Sequence, residues 1–152
     1  ESLALLAPVA SDLRKVIAAI KIASELERIG DYAKNISKFL IKNDHLTDIV
    51  CDYAISMEKD LIGMLEKAMQ CMVDQDEEAA FAIPESDHRI NQQMKDIREK
   101  LLSQNGVDKE QLLDELFEIS AMLRNIERAG DHVKNICEHI LYMMKGQHYD
   151  FG

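Results

Sequence analysis

Tryptophan is absent, aromatic residues make up 5% of the chain, and only two prolines occur in 152 residues. The residue types that suit a pleated, half-buried surface are therefore scarce. Ala, Leu, Ile, Met, Glu and Lys dominate instead, which favours helix. No apolar run approaches the roughly 18 residues of a membrane span, and no signal-peptide pattern is present, so contact with a membrane is expected to be peripheral at most. Cysteine is sparse as well. Cys51, Cys71 and Cys137 form no CxxC and no short spacing, which excludes a disulfide framework and a thiolate zinc motif and reads as reduced, buried thiols of a cytosolic protein. Positive charge is in deficit. The formal net charge of −10 argues against DNA, RNA or an anionic membrane surface as the main partner, since each calls for a basic patch. GxSxG, HExxH, Walker and Gly-rich phosphate-binding patterns are all missing, so the chain reads as a non-enzyme.

What is present is a repetition. Leu26 to Ile36 reads LERIGDYAKNI, and one hundred residues later Ile126 to Ile136 reads IERAGDHVKNI, with seven of eleven positions identical. Self-similarity at a fixed offset points to one structural unit used twice. Within it, Glu27 and Asp31 stand four apart, as do Glu127 and Asp131. On a helix this puts both carboxylates on one face, about 5–6 Å apart at Cβ, where like charges cost about 0.2–0.5 kcal/mol. The intervening Gly30 or Gly130 costs about 0.8–1 kcal/mol more. A single Glu-Arg or Asp-Lys segment is ordinarily a solvated helix face. Two in register, each continuing an otherwise apolar stripe, favour a bound cation that offsets the repulsion and a glycine that admits a neighbouring helix. Asn35 and Asn135 fit equally as hydrogen-bonders behind a metal ligand or as polar contacts between helices. Arg28 and Lys34 fit solvent or interface ion pairs.

The surrounding pattern predicts four long helices joined by short connections, hence an all-α antiparallel bundle. Pro8 suits a first turn, and the first helix runs to about Ile41. Its stripe Ile22, Leu26, Ile29, Ala33, Ile36, Leu40 is opposed by a second, Leu13, Ile17, Ile20, Ser24, Glu27, Asp31, Asn35, so neighbours are expected on both sides. Residues 43–45 break the chain, and a second helix runs from Leu46 to about Val73. Asp74-Gln75-Asp76 supplies a turn and an N-cap. A third helix reaches about Leu102, with a kink or fresh start expected near Pro84. Gln104-Asn105-Gly106 ends it, and Asp108 to Gln111 forms a capping box for the last helix, which Gly146 stops. The tail 147–152 is expected to be loose. The methionines, at helical spacing, read as core filler.

The third helix adds Asp87-x-x-x-Asn91 and one Glu85-x-x-His88 pair. Ferritin-like di-iron bundles need two such pairs and two further Glu, and only one pair is found. His88, His132 and His139 taken singly read as surface or cap histidines. A carboxylate-rich site without thiolates suits iron, manganese, magnesium or calcium over structural zinc.

Pro8-Val-Ala-Ser-Asp-Leu-Arg14, the two ERxGD segments and Asn135-Ile-Cys-Glu138 together resemble the PhoU family of bacterial phosphate-uptake regulators, along nearly the whole chain. The resemblance implies two three-helix bundles, each with an acidic E/D-x-x-x-D motif on its last helix. Residues 46–146 then correspond to a complete three-helix bundle and residues 1–45 to the last helix of a first, incomplete one. The chain begins inside helical sequence without a Met, as a piece of something longer would. The resemblance further implies a cytoplasmic negative regulator of phosphate uptake and of the phosphate-starvation response, acting on a phosphate ABC transporter ATPase and a sensor histidine kinase. It implies multinuclear metal clusters (iron, zinc, manganese or magnesium) at Glu127, Asp131, Glu27 and Asp31, with Asp87 and Asn91 matching polar positions of the middle helix. Two other readings compete: the soluble regulatory domain of a sodium–phosphate cotransporter, and a di-metal carboxylate redox or storage bundle. The exposed faces of the first helix predict a homodimer or a larger assembly.

Overall fold

The computed structural model describes residues 2–43, 48–103 and 109–152, and among them no strand occurs. The protein is an all-α bundle. Its elements are α1 (Ser2–Lys42), α2 (Asp48–Asp74), α3 (Glu77–Ala82), a 3-10 turn (Ile83–Ser86), α4 (Asp87–Leu102) and α5 (Lys109–Lys145). No helix among the described residues is long and apolar enough to cross a membrane.

The third helix breaks at Pro84, as the missing N–H of proline requires. Asp76 opens α3, its carboxylate accepting from the N–H of Ala79 at 3.1 Å. The 3-10 turn then carries the chain past Pro84, and α4 starts afresh at Asp87. This restart decides where Asp87 falls, at the first residue of α4. The other proline behaves differently from expectation. Pro8 lies inside α1, which begins at Ser2, and it is exposed to solvent. The expected Gly106 cap and the capping box opening at Asp108 lie outside the described residues, as does the expected break at residues 44 and 45.

The core is filled by α2, α4 and α5. Met57, Leu61 and Met64 from α2 meet Ile90, Met94, Ile97 and Leu101 from α4, and Leu123, Ile126, Val133 and Ile140 from α5. Each such side chain contributes about 1.5–3 kcal/mol on full burial, and the buried methionines are core filler as their spacing suggests.

Helix α1 lies antiparallel along the outside of α5. Arg14 sits beside Gly146, Glu25 meets Asn135, and Tyr32 stacks on His132 with ring centroids 5.5 Å apart. Tyr32 and His132 occupy the same position in the repeat. Equivalent positions that touch across antiparallel helices place an approximate two-fold axis between them, so the repeated segments face each other across it. Helix α1 buries one stripe on α5, namely Ala18, Ile22, Ile29 and Ile36. Its opposite side, expected to have a neighbour, carries exposed Leu13 and Ile20 and has none among the described residues.

Two ends are closed by specific contacts. Gly146 adopts φ +69°, a left-handed cap that suits glycine. The Arg14 guanidinium lies over it, 3.4 Å from where a Cβ would stand, at the electronegative end of α5. The tail beyond Gly146 is docked where a loose end was expected. Tyr149 and Phe151 pack edge-on against Phe81, with centroids 5.0 and 6.1 Å away. The Phe151 N–H donates to Glu138 Oε1 at 2.8 Å. The two aromatic rings of the tail pack on Phe81 of α3, a contact that the tail's short sequence did not reveal.

Candidate metal centre

On α5 the repeat is built into a helix crossing. Gly130 is buried, and α4 begins against it: a Cβ on Gly130 would stand 3.1 Å from Asp87 Oδ1. Asp87 is 8% exposed. Its Oδ2 pairs with Lys134 Nζ at 2.7 Å and accepts weakly from Asn91 Nδ2 at 3.4 Å. A carboxylate in the first turn of α4 is also favoured by the helix dipole. Glu127 and Asp131 flank Gly130 along α5 and are exposed, as is Asn91. This copy of the repeat therefore brings a third carboxylate, from another helix, to the residue between its own two.

On α1 the same residues meet nothing comparable. Glu27, Gly30, Asp31, Lys34 and Asn35 are all exposed, and a Cβ on Gly30 would have no heavy atom within 4 Å. Glu27 and Asp31 face solvent as an isolated i,i+4 pair.

The donors are oxygen donors. Burial pushes the Cys137 thiol up to about 12 and raises that of Cys71, so neither offers a thiolate at neutral pH. Hard cations suit such a carboxylate set. Among the described residues, however, no group of three or more His, Cys, Asp and Glu is arranged to hold a metal ion. Asp87 faces Lys134, and a cation would have to displace that ammonium to gain the third carboxylate.

A polar assembly between α1 and α5 escaped sequence reasoning. Glu25 projects from α1 into α5, where one carboxylate oxygen pairs with His132 Nδ1. Its other oxygen lies 3.6 Å from His139 Nε2, and Asn135 Nδ2 donates at 3.4 Å. Asn135 thus serves as a helix–helix contact, whereas Asn35 is exposed. His132, Asn135 and His139 at i, i+3, i+7 form one face of α5, and that spacing was the available signal. Glu25 gave none, because its counterpart one hundred residues on is Asn125.

Beyond this geometry, the chain matches a family model, the PhoU domain, over residues 1–40 and 54–140. The chain belongs to the PhoU family. Among curated proteins it is similar to the phosphate-specific transport system accessory protein PhoU of Serratia marcescens, 34% identical over 141 residues, covering 92% of this chain and 58% of that protein. It is likewise similar to the protein of that name in Escherichia coli (strain K12), 32% identical over 145 residues, 93% of this chain and 59% of that one. A PhoU homolog of Xylella fastidiosa (strain 9a5c) is 30% identical over 146 residues, 95% and 61%. The chain therefore spans about three-fifths of the length of these PhoU relatives.

Proposed function

We propose that this PhoU-family chain is a regulatory adaptor of phosphate uptake, without catalytic activity of its own. When phosphate is plentiful it restrains uptake and the phosphate-starvation response, acting in the cytoplasm on the ATPase of a phosphate ABC transporter and on a sensor histidine kinase. The reading is carried by one observation: similarity to phosphate-specific transport accessory proteins extends over 92–95% of the chain, with the family model covering both repeats. The net charge of −10 suits a basic surface on a protein partner.

The acidic motif supplies the switchable part of this reading. Glu127 and Asp131 would hold a hard cation at the surface of α5, with Asp87 as the third carboxylate once Lys134 moves aside. The bound ion would neutralise repelling charges and couple α4 to α5, altering the face shown to a partner. Glu27 and Asp31 would bind more weakly, having no third carboxylate. Asn91, bonded to Asp87, would orient it.

Metal analysis of gently purified protein, beside the double variant Glu127→Ala/Asp131→Ala, tests the site. Loss of metal in the variant supports it, and equal metal content in both removes it. Regulation is tested separately, by restoring repression of phosphate-starvation genes in cells that lack their own family member. Failure of the intact protein to repress removes the adaptor reading whatever the metal result.

A further inference from the structure

Arg14, the last residue of the motif that opens at Pro8, is a half-buried cation with no acceptor. It stands four residues before Ala18, on the side of α1 that packs against α5. One face of its guanidinium lies over Gly146, 3.4 Å from where a Cβ would be. Its Nε is buried without a hydrogen-bond partner, and it pairs with no carboxylate among the described residues. Only this nitrogen of the fork is sealed in, so the terminal two remain open to a ligand. The dipole of α5 accounts for a positive charge at that helix end. It does not account for a planar fork of five N–H donors left unused.

Two further bases gather at this corner. Lys21, two turns further along the same side of α1, holds its Nζ 6.0 Å from the centroid of the Tyr142 ring. Beyond the turn at Gly146, His148 comes back onto that ring, with centroids 4.4 Å apart and planes 8° from parallel. Neither base has a carboxylate partner among the described residues. Glu25, four residues beyond Lys21, is taken up by His132 and His139. Glu138 accepts from the Phe151 N–H, and Asp150 from the Gly152 N–H. In a chain with 28 acidic against 18 basic residues, three bases without an acid of their own favour an anion from outside. We infer that Arg14, Lys21 and His148 form a site for a tetrahedral oxyanion, a phosphoryl group that is free or carried on a nucleotide. Arg14 supplies the fork and a fixed charge, Lys21 a second fixed charge, and His148 a ring nitrogen from beyond α5. Two fixed charges match a dianion, and donors from three directions suit a tetrahedron of oxygens over the single plane of a carboxylate. A group held there ties α1 to the end of α5. The corner belongs to the α1–α5 contact, not to the outer side of α1, and shares no residue with the Glu127/Asp131 motif.

Equilibrium dialysis of the whole chain against inorganic phosphate tests the site. A chelator keeps metal out, and chloride holds the ionic strength constant so that screening does not change. One phosphate per chain is expected. Arg14→Gln weakens binding by about tenfold or more and Lys21→Gln by about threefold or more. Lys38→Gln, which removes an exposed lysine elsewhere on α1, leaves it unchanged. Lys21 is exposed, so Lys21→Gln reads the site even where circular dichroism shows that Arg14→Gln disturbs the helices. ATP separates the sources. Displacement of phosphate by ATP, or ATP binding alone that both variants weaken, assigns the group to a nucleotide; phosphate binding that ATP does not disturb assigns it to the free ion. Binding of neither at millimolar concentration overturns the proposal. Phosphate or ATP bound equally by the parent and Lys21→Gln overturns it too.

Discussion

The two copies of the repeat share seven of eleven residues and almost none of their surroundings. At Gly130 the start of α4 lies against the helix, Asp87 is buried, and Lys134 is paired. At Gly30 the space is empty, and Lys34 is exposed. The same Gly, Lys and Asn are therefore covered on one helix and open on the other, while both acids of the motif stay exposed on each. A motif fixes which groups share a face; the neighbouring helix fixes whether that face is dry.

The ion pair gives the largest way to sharpen this contrast. Asp87→Ala leaves Lys134 without its partner at a site where both side chains are under one-fifth exposed. Removing one member of a fully buried pair costs about 3–5 kcal/mol. With the residual exposure here, about 2 kcal/mol is expected in chemical denaturation. Lys34→Ala, the matching change on α1, is expected to stay within about 0.5 kcal/mol. Similar losses in the two variants would erase the distinction between the copies.

The glycines come next. Gly30→Ala adds a methyl to open space and raises helix propensity, a gain of about 0.8–1 kcal/mol. Gly130→Ala sets the same methyl 3.1 Å from an Asp87 oxygen held by Lys134. Overpacking of that kind costs about 1–3 kcal/mol, which cancels or exceeds the propensity gain. Opposite shifts in melting temperature are the expected result. A gain at both positions would mean that Asp87 yields freely.

A third contrast concerns metal. Lys134 competes with any cation for Asp87, so Lys134→Gln is expected to tighten metal binding at the α5 motif, read by titration calorimetry. Lys34→Gln is expected to do little at α1, where Lys34 is exposed and, among the described residues, has no acidic partner from a second helix to release. A tightening of about tenfold corresponds to about 1.4 kcal/mol. Weaker binding in Lys134→Gln would rule out Asp87 as the third carboxylate.

Much of the architecture was legible because it rests on local rules. Apolar spacing marked the long helices, Pro84 marked the restart of the third, and Gly146 marked the stop of the last. The tail and Glu25 were not legible, because each depends on a partner far along the chain. Tyr149 and Phe151 find Phe81, and Glu25 finds His132, more than sixty and one hundred positions away respectively. Periodicity says that a face exists and is silent on what arrives there. The same limit applied to the acidic motif. Spacing put Glu127 beside Asp131, but the ion pair that ties Asp87 to Lys134 comes from the way α4 crosses α5.

Glu25 offers the smallest effect and separates the two sides of α1. Among the described residues, it alone sends a carboxylate from α1 into the His132–Asn135–His139 face of α5. Glu25→Ala removes an acceptor shared by three partners, all partly exposed, so water replaces much of what is lost. A loss of about 1 kcal/mol is expected, at the middle of the range for a net hydrogen bond. Because α1 packs on α5 through the Ala18–Ile36 stripe, the Tyr32–His132 stack and Arg14 at Gly146, and not within the three-helix core, the change is expected to loosen α1 before the rest of the bundle. Hydrogen exchange would then accelerate at α1 amides while α2, α4 and the inner side of α5 keep their protection. Uniform acceleration across all helices would mean that α1 and the three-helix core unfold as one unit, and that the open side of α1 belongs to the same cooperative structure as the covered side of α5.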